Sequence, residues 1–98
     1  MIVTRHAEQR IRERVGLPKR VADKAAARAL SDGVRRTETT GRLRRYLDAL
    51  YHARNEANNI RVWADKVYLF HNVILITVLN LPNDYKNAYK KIQERRRT

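Results

Sequence analysis

Three basic side chains near the start of the chain recur at the spacing of one helix face. His6, Arg10 and Arg14 are four residues apart, so an α-helix would place them in one row. Guanidinium is a planar, permanently charged group that fits phosphate, and imidazole titrates near neutral pH. The row therefore predicts a place that holds a phosphodiester and could cut it. A solvated helix face with a structural histidine is the competing interpretation of the same spacing.

The composition indicates one small domain with a polyanionic partner. The 98 residues suffice for one hydrophobic core, and we expect a single domain over 1–98. Lys and Arg number 22 against 10 Asp and Glu, which gives a net charge of +12. Residues 58–84 are neutral and apolar, whereas the segments on either side of them are basic. Nucleic acid is the first partner that this charge suggests, and an acidic protein is the second.

Cysteine usage and hydropathy argue against several other classes. The chain has no cysteine, which excludes a disulfide framework and thiolate metal sites and favours a reducing compartment such as the host cytosol. The longest apolar run, around 73–79, is too short to span a membrane, and the N-terminus lacks the apolar segment of a signal peptide. No histidine pair has ligand spacing and the glycines are isolated, so we expect no metal and no cofactor.

Apolar residues recur at helical spacing in the first half of the chain and again near its end. Pro18 suits the first turn of a helix, and Gly33 suits the end of one. Between the helices, 34–40 is predicted to be a polar loop. The predicted helical region is 4–55, and the predicted individual helices are about 4–15, 18–32, 41–55 and 83–94.

Between residues 59 and 81 the hydrophobic period changes from 3.6 to two. Turns are expected at 64–65 and 71–72, so this segment predicts a three-stranded antiparallel meander. The predicted fold class is α+β: the N-terminal helices pack on one face of the small meander, and a basic helix or tail follows over 83–98.

Several separated blocks of the sequence carry a resemblance that covers roughly residues 4–85. The blocks are Arg5-His6-Ala7, Arg10-Ile11, Arg14, Gly16-Leu17-Pro18, Thr40-Gly41-Arg42-Leu43-Arg44-Arg45-Tyr46-Leu47, Asn58-Asn59-Ile60-Arg61-Val62, Lys66-Val67-Tyr68-Leu69-Phe70, Leu75-Ile76-Thr77-Val78-Leu79 and Leu81-Pro82. They resemble small proteins encoded in bacteriophage and prophage genomes. The helix-then-sheet layout of those proteins is similar to the compact metal-independent endoribonucleases grouped with barnase, colicin D, colicin E5 and the RelE-type toxins. The resemblance implies a ribonuclease-toxin-like fold and an RNA-directed activity.

Metal-independent RNA cleavage uses the ribose 2′-hydroxyl as nucleophile. It needs a base for that proton, an acid for the leaving oxygen, and cations at the phosphorane between them. The predicted acid or base is His6, which shares its row with two arginines. Arg10, Arg14 and Arg42 are the predicted ligands of the phosphate and transition state. Tyr46 is predicted to donate a proton or to stack on a base.

Further basic residues are predicted to contact the nucleic acid without taking part in the reaction. Arg61 alternates with apolar neighbours and should face the side of the sheet that the helices leave open. Thr77, a hydroxyl in an apolar strand, either belongs to a site or forms a local hydrogen bond, the second being favoured. The predicted contact residues are Arg5, Arg45, Arg61, Lys90 and Lys91.

A non-enzymatic protein is the alternative interpretation. The same positive surface could block a nucleic-acid channel or bind an acidic partner, as an inhibitor of a host defence nuclease would. For the toxin-like interpretation, the expected protein partner is an antitoxin. No second titratable group is evidently paired with His6, which favours binding over catalysis.

Overall fold

The computed structural model describes residues 19–53 and 56–96, so the predicted helix over 4–15 lies outside the described residues. The described residues form three helices, a four-stranded sheet and one turn of 3₁₀-helix, Arg36–Glu38. In chain order the elements are α1 (Lys19–Asp32), β1 (Val34–Arg35), α2 (Gly41–Ala53), β2 (Asn59–Trp63), β3 (Lys66–His71), β4 (Ile74–Asn80) and α3 (Asn83–Arg96).

The sheet is an antiparallel meander in the order β1-β2-β3-β4. Strands β2, β3 and β4 confirm the three predicted strands. Ala64 and Asp65 have φ values of 51° and 62° in the two-residue turn between β2 and β3. These left-handed values match the twist of a tight hairpin. Asn72, at a φ of 56°, occupies the second predicted turn.

The strand β1 corrects the prediction of a polar loop over 34–40. Val34 is fully buried and lies opposite Val62 in the register of β1 with β2. A strand of only two residues shows no alternation of apolar and polar residues in the sequence, so only its pairing with β2 defines it. The β1 strand extends the predicted meander by one edge.

Helices cover both faces of the sheet. Leu43 and Leu47 of α2 join Tyr89 and Ile92 of α3 in the core on one face. On the other face, Ala26 and Ala29 of α1 pack with Tyr68 and Phe70 of the central strand β3. The α+β class is therefore confirmed, whereas the packing of all N-terminal helices on one face is corrected. The reason is that β3 is buried at four consecutive positions, so each of its faces needs a cover.

Candidate functional site

A shallow groove of about 490 Å³ lies between α2 and the first turn of α3. Leu43 and Leu47 fix α2 on the sheet, since both are buried in the core. The helix begins at Gly41, whose φ of +62° lets the chain turn sharply into it. The exposed side of the helix then faces outward at the groove. The lining residues are Arg42, Arg45, Tyr46, Ala49 and Tyr85, and we call this site the arginine–tyrosine groove.

A pair of stacked tyrosines forms the floor of the groove. The ring centroids of Tyr46 and Tyr85 are 4.7 Å apart and their planes differ by 23°. The guanidinium carbon of Arg42 lies 5.8 Å from the centroid of Tyr85, within reach of a cation–π contact. The rings therefore support each other and one of the arginines.

The hydroxyl of Tyr46 stays protonated at neutral pH. Burial raises the pKa of the Tyr46 phenol, and the neighbouring Tyr85 raises it further. A neutral phenol can donate a hydrogen bond to an anion, but it cannot accept a proton as a base. Tyr46 can therefore donate a hydrogen bond, whereas its predicted roles of donating a proton or stacking on a base stay predictions.

The two groove arginines differ from two other arginines close by. Nη1 of Arg36 and Nε of Arg44 donate to Oδ1 of Asp48 at 2.6 Å and 2.9 Å. These two hydrogen bonds hold the pKa of Asp48 below its ordinary value. Within the described ranges, no carboxylate lies within ion-pair distance of Arg42 or Arg45.

The groove can bind an anion but lacks a base. Two guanidiniums and a phenol hydroxyl present donors, and phosphate oxygens are the acceptors that such donors suit best. The five lining residues include no histidine and no carboxylate. A proton acceptor for cleavage has to come from elsewhere in the chain, and the predicted one, His6, lies outside the described residues.

The structure brings together three of the predicted site residues, namely Arg42, Arg45 and Tyr46. Lys90 and Lys91 are exposed on α3 but do not line the groove. The predicted residues Arg5, His6, Arg10 and Arg14 lie outside the described residues.

Arg61 does not face an open side of the sheet, which corrects its predicted position. Its Nε donates to Oδ1 of Asn59 at 2.8 Å, and its Nη1 donates to the backbone carbonyl of Leu30 at 3.0 Å. Leu30 is in the last turn of α1, where carbonyls lack partners within the helix. Arg61 therefore joins β2 to the helix that covers its face of the sheet. Burial, above all, lowers the pKa of this guanidinium.

The hydroxyl of Thr77 does not form the predicted local hydrogen bond. The residue is 1% exposed, and its Oγ1 has no hydrogen-bond partner among the described residues. It also does not line the groove. The β3–β4 register shift between Leu69 and Phe70 lies opposite this part of β4 and disturbs its regular alternation.

Tyr85 and Ala49 line the groove, although the sequence analysis predicts neither as a site residue. No spacing signal separates a tyrosine that docks a helix from one that lines a groove. The two histidines in the described ranges, His52 and His71, do not line the groove. His52 is exposed with its ring edge on Tyr51, and Nδ1 of His71 lies 3.0 Å from the carbonyl oxygen of Glu56.

No protein-family model matches this chain, and searches of curated proteins and of solved structures find no similar protein. The resemblance to phage proteins and to endoribonucleases therefore stays a prediction. Residues 19–53 and 56–96 contain no group of three His, Asp or Glu side chains placed to hold a metal ion. In the same ranges, no helix is both long and apolar enough to cross a membrane.

Proposed function

We propose that this chain is a cytosolic, nucleic-acid-directed protein that binds RNA in the arginine–tyrosine groove. The observation that carries the proposal is the pair of exposed guanidiniums, Arg42 and Arg45, which have no carboxylate partner in the described part of the chain. They lie beside a tyrosine hydroxyl that remains a donor at neutral pH. The net charge of +12 would draw a polyanion toward this surface.

The groove suits a phosphate backbone better than the centre of a protein interface. Protein interfaces are organised around buried apolar and aromatic anchors. The only large apolar side chain exposed in the described ranges is Val73, which belongs to the turn between β3 and β4. The tyrosine rings of the groove already stack on each other. Arginine and tyrosine donors without an apolar patch are what backbone recognition requires.

Binding is tested by titrating the protein into fluorescein-labelled RNA oligonucleotides, one single-stranded and one hairpin, and following the anisotropy. We expect binding at low salt with an affinity that falls as the salt concentration rises, since bound phosphates release counterions. Absence of binding at low salt would refute the proposal. An acidic protein partner, the alternative class, would then be sought by crosslinking.

Cleavage is the second part of the proposal, with His6 as base or acid and Arg10, Arg14 and Arg42 at the phosphate. Its test is incubation of wild type and His6→Ala with total RNA and transfer RNA in EDTA, followed by gel analysis. Fragments that end in 2′,3′-cyclic phosphate and disappear in the variant would support a metal-independent endoribonuclease. Intact RNA with both proteins would leave a binding or blocking protein.

A further inference from the structure

Three arginines from three elements meet at the edge of the sheet that β1 forms. Arg35 and Arg61 are direct partners on neighbouring antiparallel strands, so their side chains share one face of the sheet. Nη1 of Arg96 donates to the backbone carbonyl of Asp32 at 2.9 Å, two residues beyond the carbonyl of Leu30 that Arg61 binds. We call Arg35, Arg61 and Arg96 the edge cluster.

The charges of the edge cluster are poorly balanced. Like charges placed directly opposite on paired strands repel and destabilise the pair. Burial is the largest cause that lowers the pKa of Arg61. The positive charge of Arg35 is the next largest, and the charge of Arg96 lowers the pKa further. Among the described residues, Glu38 is the one carboxylate whose charge acts in the opposite direction. Three guanidiniums therefore face a single opposing carboxylate.

The carboxylate of Asp32, the residue whose backbone carbonyl accepts from Arg96, is already engaged. Oδ2 of Asp32 lies 3.2 Å from Nε of Arg28, its partner one turn earlier in α1. Arg61 uses Nε and one Nη1 proton for Asn59 and Leu30, so three of its five N–H groups remain for another acceptor. The Arg35 side chain is exposed at the same edge. The cluster thus combines excess positive charge with unused donors.

We propose that the edge cluster is a second anion site, which binds a phosphate group. Phosphate matches the forked geometry of guanidinium and would remove the repulsion among the three side chains. The site is separate from the groove, because Tyr85 and Arg96 are eleven residues apart on α3, or about 16 Å along its axis. The phosphate group belongs either to the backbone of a bound nucleic acid or to a small phosphorylated compound.

The test isolates the edge cluster by first removing the groove. In the Arg42→Gln/Arg45→Gln protein, pyrophosphate is added at low millimolar concentration at constant ionic strength, and the melting temperature is measured. We expect a saturable rise, because a ligand that binds only the native state stabilises it. Arg35→Gln added to this protein should remove most of the rise. The same substitution should raise the melting temperature without pyrophosphate, since it relieves the repulsion.

Lys24→Gln in the same background is the matched control, because it removes one exposed charge of α1 that belongs neither to the cluster nor to the predicted contact residues, and it should preserve the rise. No rise in the groove-deficient protein would overturn the proposal, and so would a rise that Arg35→Gln leaves unchanged. RNA titration of Arg35→Gln in the otherwise wild-type chain distinguishes the two sources. Weaker RNA binding indicates the nucleic-acid backbone, and unchanged binding with the pyrophosphate effect lost indicates a small compound.

Discussion

Arg44 and Arg45 are neighbours on one helix, yet they differ in their surroundings. Nε of Arg44 lies 2.9 Å from Asp48, whereas Arg45 is exposed at the groove with no described carboxylate beside it. The difference arises because successive residues of a helix point about 100° apart. Net charge thus indicates the kind of partner, but the atoms around each guanidinium determine which arginines are available to bind it.

Arg36 and Arg44, which we call the paired arginines, have a structural role that serves the groove. Asp48 joins Arg44 of its own helix to Arg36 of the 3₁₀ turn, and the guanidinium carbon of Arg36 lies 4.2 Å from the ring centroid of Tyr51. These contacts fix α2 against the segment that precedes it. The paired arginines therefore position the helix that carries Arg42 and Arg45, which we call the free arginines.

The largest effect that separates the two groups concerns RNA affinity. Arg42→Gln/Arg45→Gln should weaken RNA binding by about a hundredfold or more at low salt, because each of the two lost contacts to a charged group is worth about 1.5 kcal/mol or more. The plot of log affinity against log salt concentration should become shallower by about 0.7 for each lost phosphate contact. Anisotropy titrations over a salt series measure both quantities.

Arg44→Gln is the matched control for this experiment, since it removes the same charge from the same helix. It should keep nearly all of the affinity, because its guanidinium is engaged with Asp48. If Arg44→Gln reduced the affinity as much as Arg45→Gln does, the distinction between paired and free arginines would be lost.

For the free energy of unfolding, the order of the two groups should be reversed: loss of a paired arginine should matter more than loss of a free one. Arg36→Gln removes an ion pair and a cation–π contact and should lower the free energy of unfolding by about 1 kcal/mol. Arg45→Gln should change it by less than about 0.5 kcal/mol, as is usual at an exposed position. Urea unfolding at neutral pH measures both. Equal losses in the two variants would contradict the comparison.

Acid should selectively disrupt the paired group. The native state holds the pKa of Asp48 below its unfolded value, so the native carboxylate binds a proton less readily than the unfolded one does. Its contribution to stability is fully present above the unfolded pKa, which is about 4 for an aspartate, and disappears as the pH falls through the lower native value. In Asp48→Asn, the free energy of unfolding measured by urea titration should not show this part of the decrease at low pH. Arg42→Gln, the control, should retain it.

The smallest expected effect refines the description of the groove. Tyr46→Phe removes one neutral donor and keeps the ring stack with Tyr85, so RNA affinity should fall only about threefold. The free energy of unfolding should stay close to that of the wild type. A loss comparable to that of the double arginine variant would instead make the hydroxyl the principal contact.

Local sequence signals predicted the central sheet well. Alternating apolar residues marked the strands, and residues suited to left-handed backbone marked the turns, as at Asp65 and Asn72. The side of the sheet that α1 covers could not be predicted, because an alanine face such as that of Ala26 and Ala29 fits either side. Val34 was missed because a two-residue strand has no period.

In the candidate site, too, the residues of a single element could be predicted, whereas the contacts between elements could not. Arg42, Arg45 and Tyr46 were predicted, since one helix brings them together. The tie between Arg61 and Leu30 spans 31 residues, and Tyr85 comes from a helix that follows the whole sheet. Contacts of this range depend on how elements pack, and the spacing of residues within one element carries no record of them.

The bond between Arg96 and the Asp32 carbonyl has a consequence for synthesis on the ribosome. The two residues are 64 positions apart, so the carbonyl at the end of α1 gains this donor only after Arg96 has been translated and released from the exit tunnel. Tyr89 adds a second late contact, because its hydroxyl accepts the backbone N–H of Ala64 in the β2–β3 turn. Such non-local contacts favour slow folding. The nascent chain would therefore acquire its hairpin early and complete the fold only when α3 arrives.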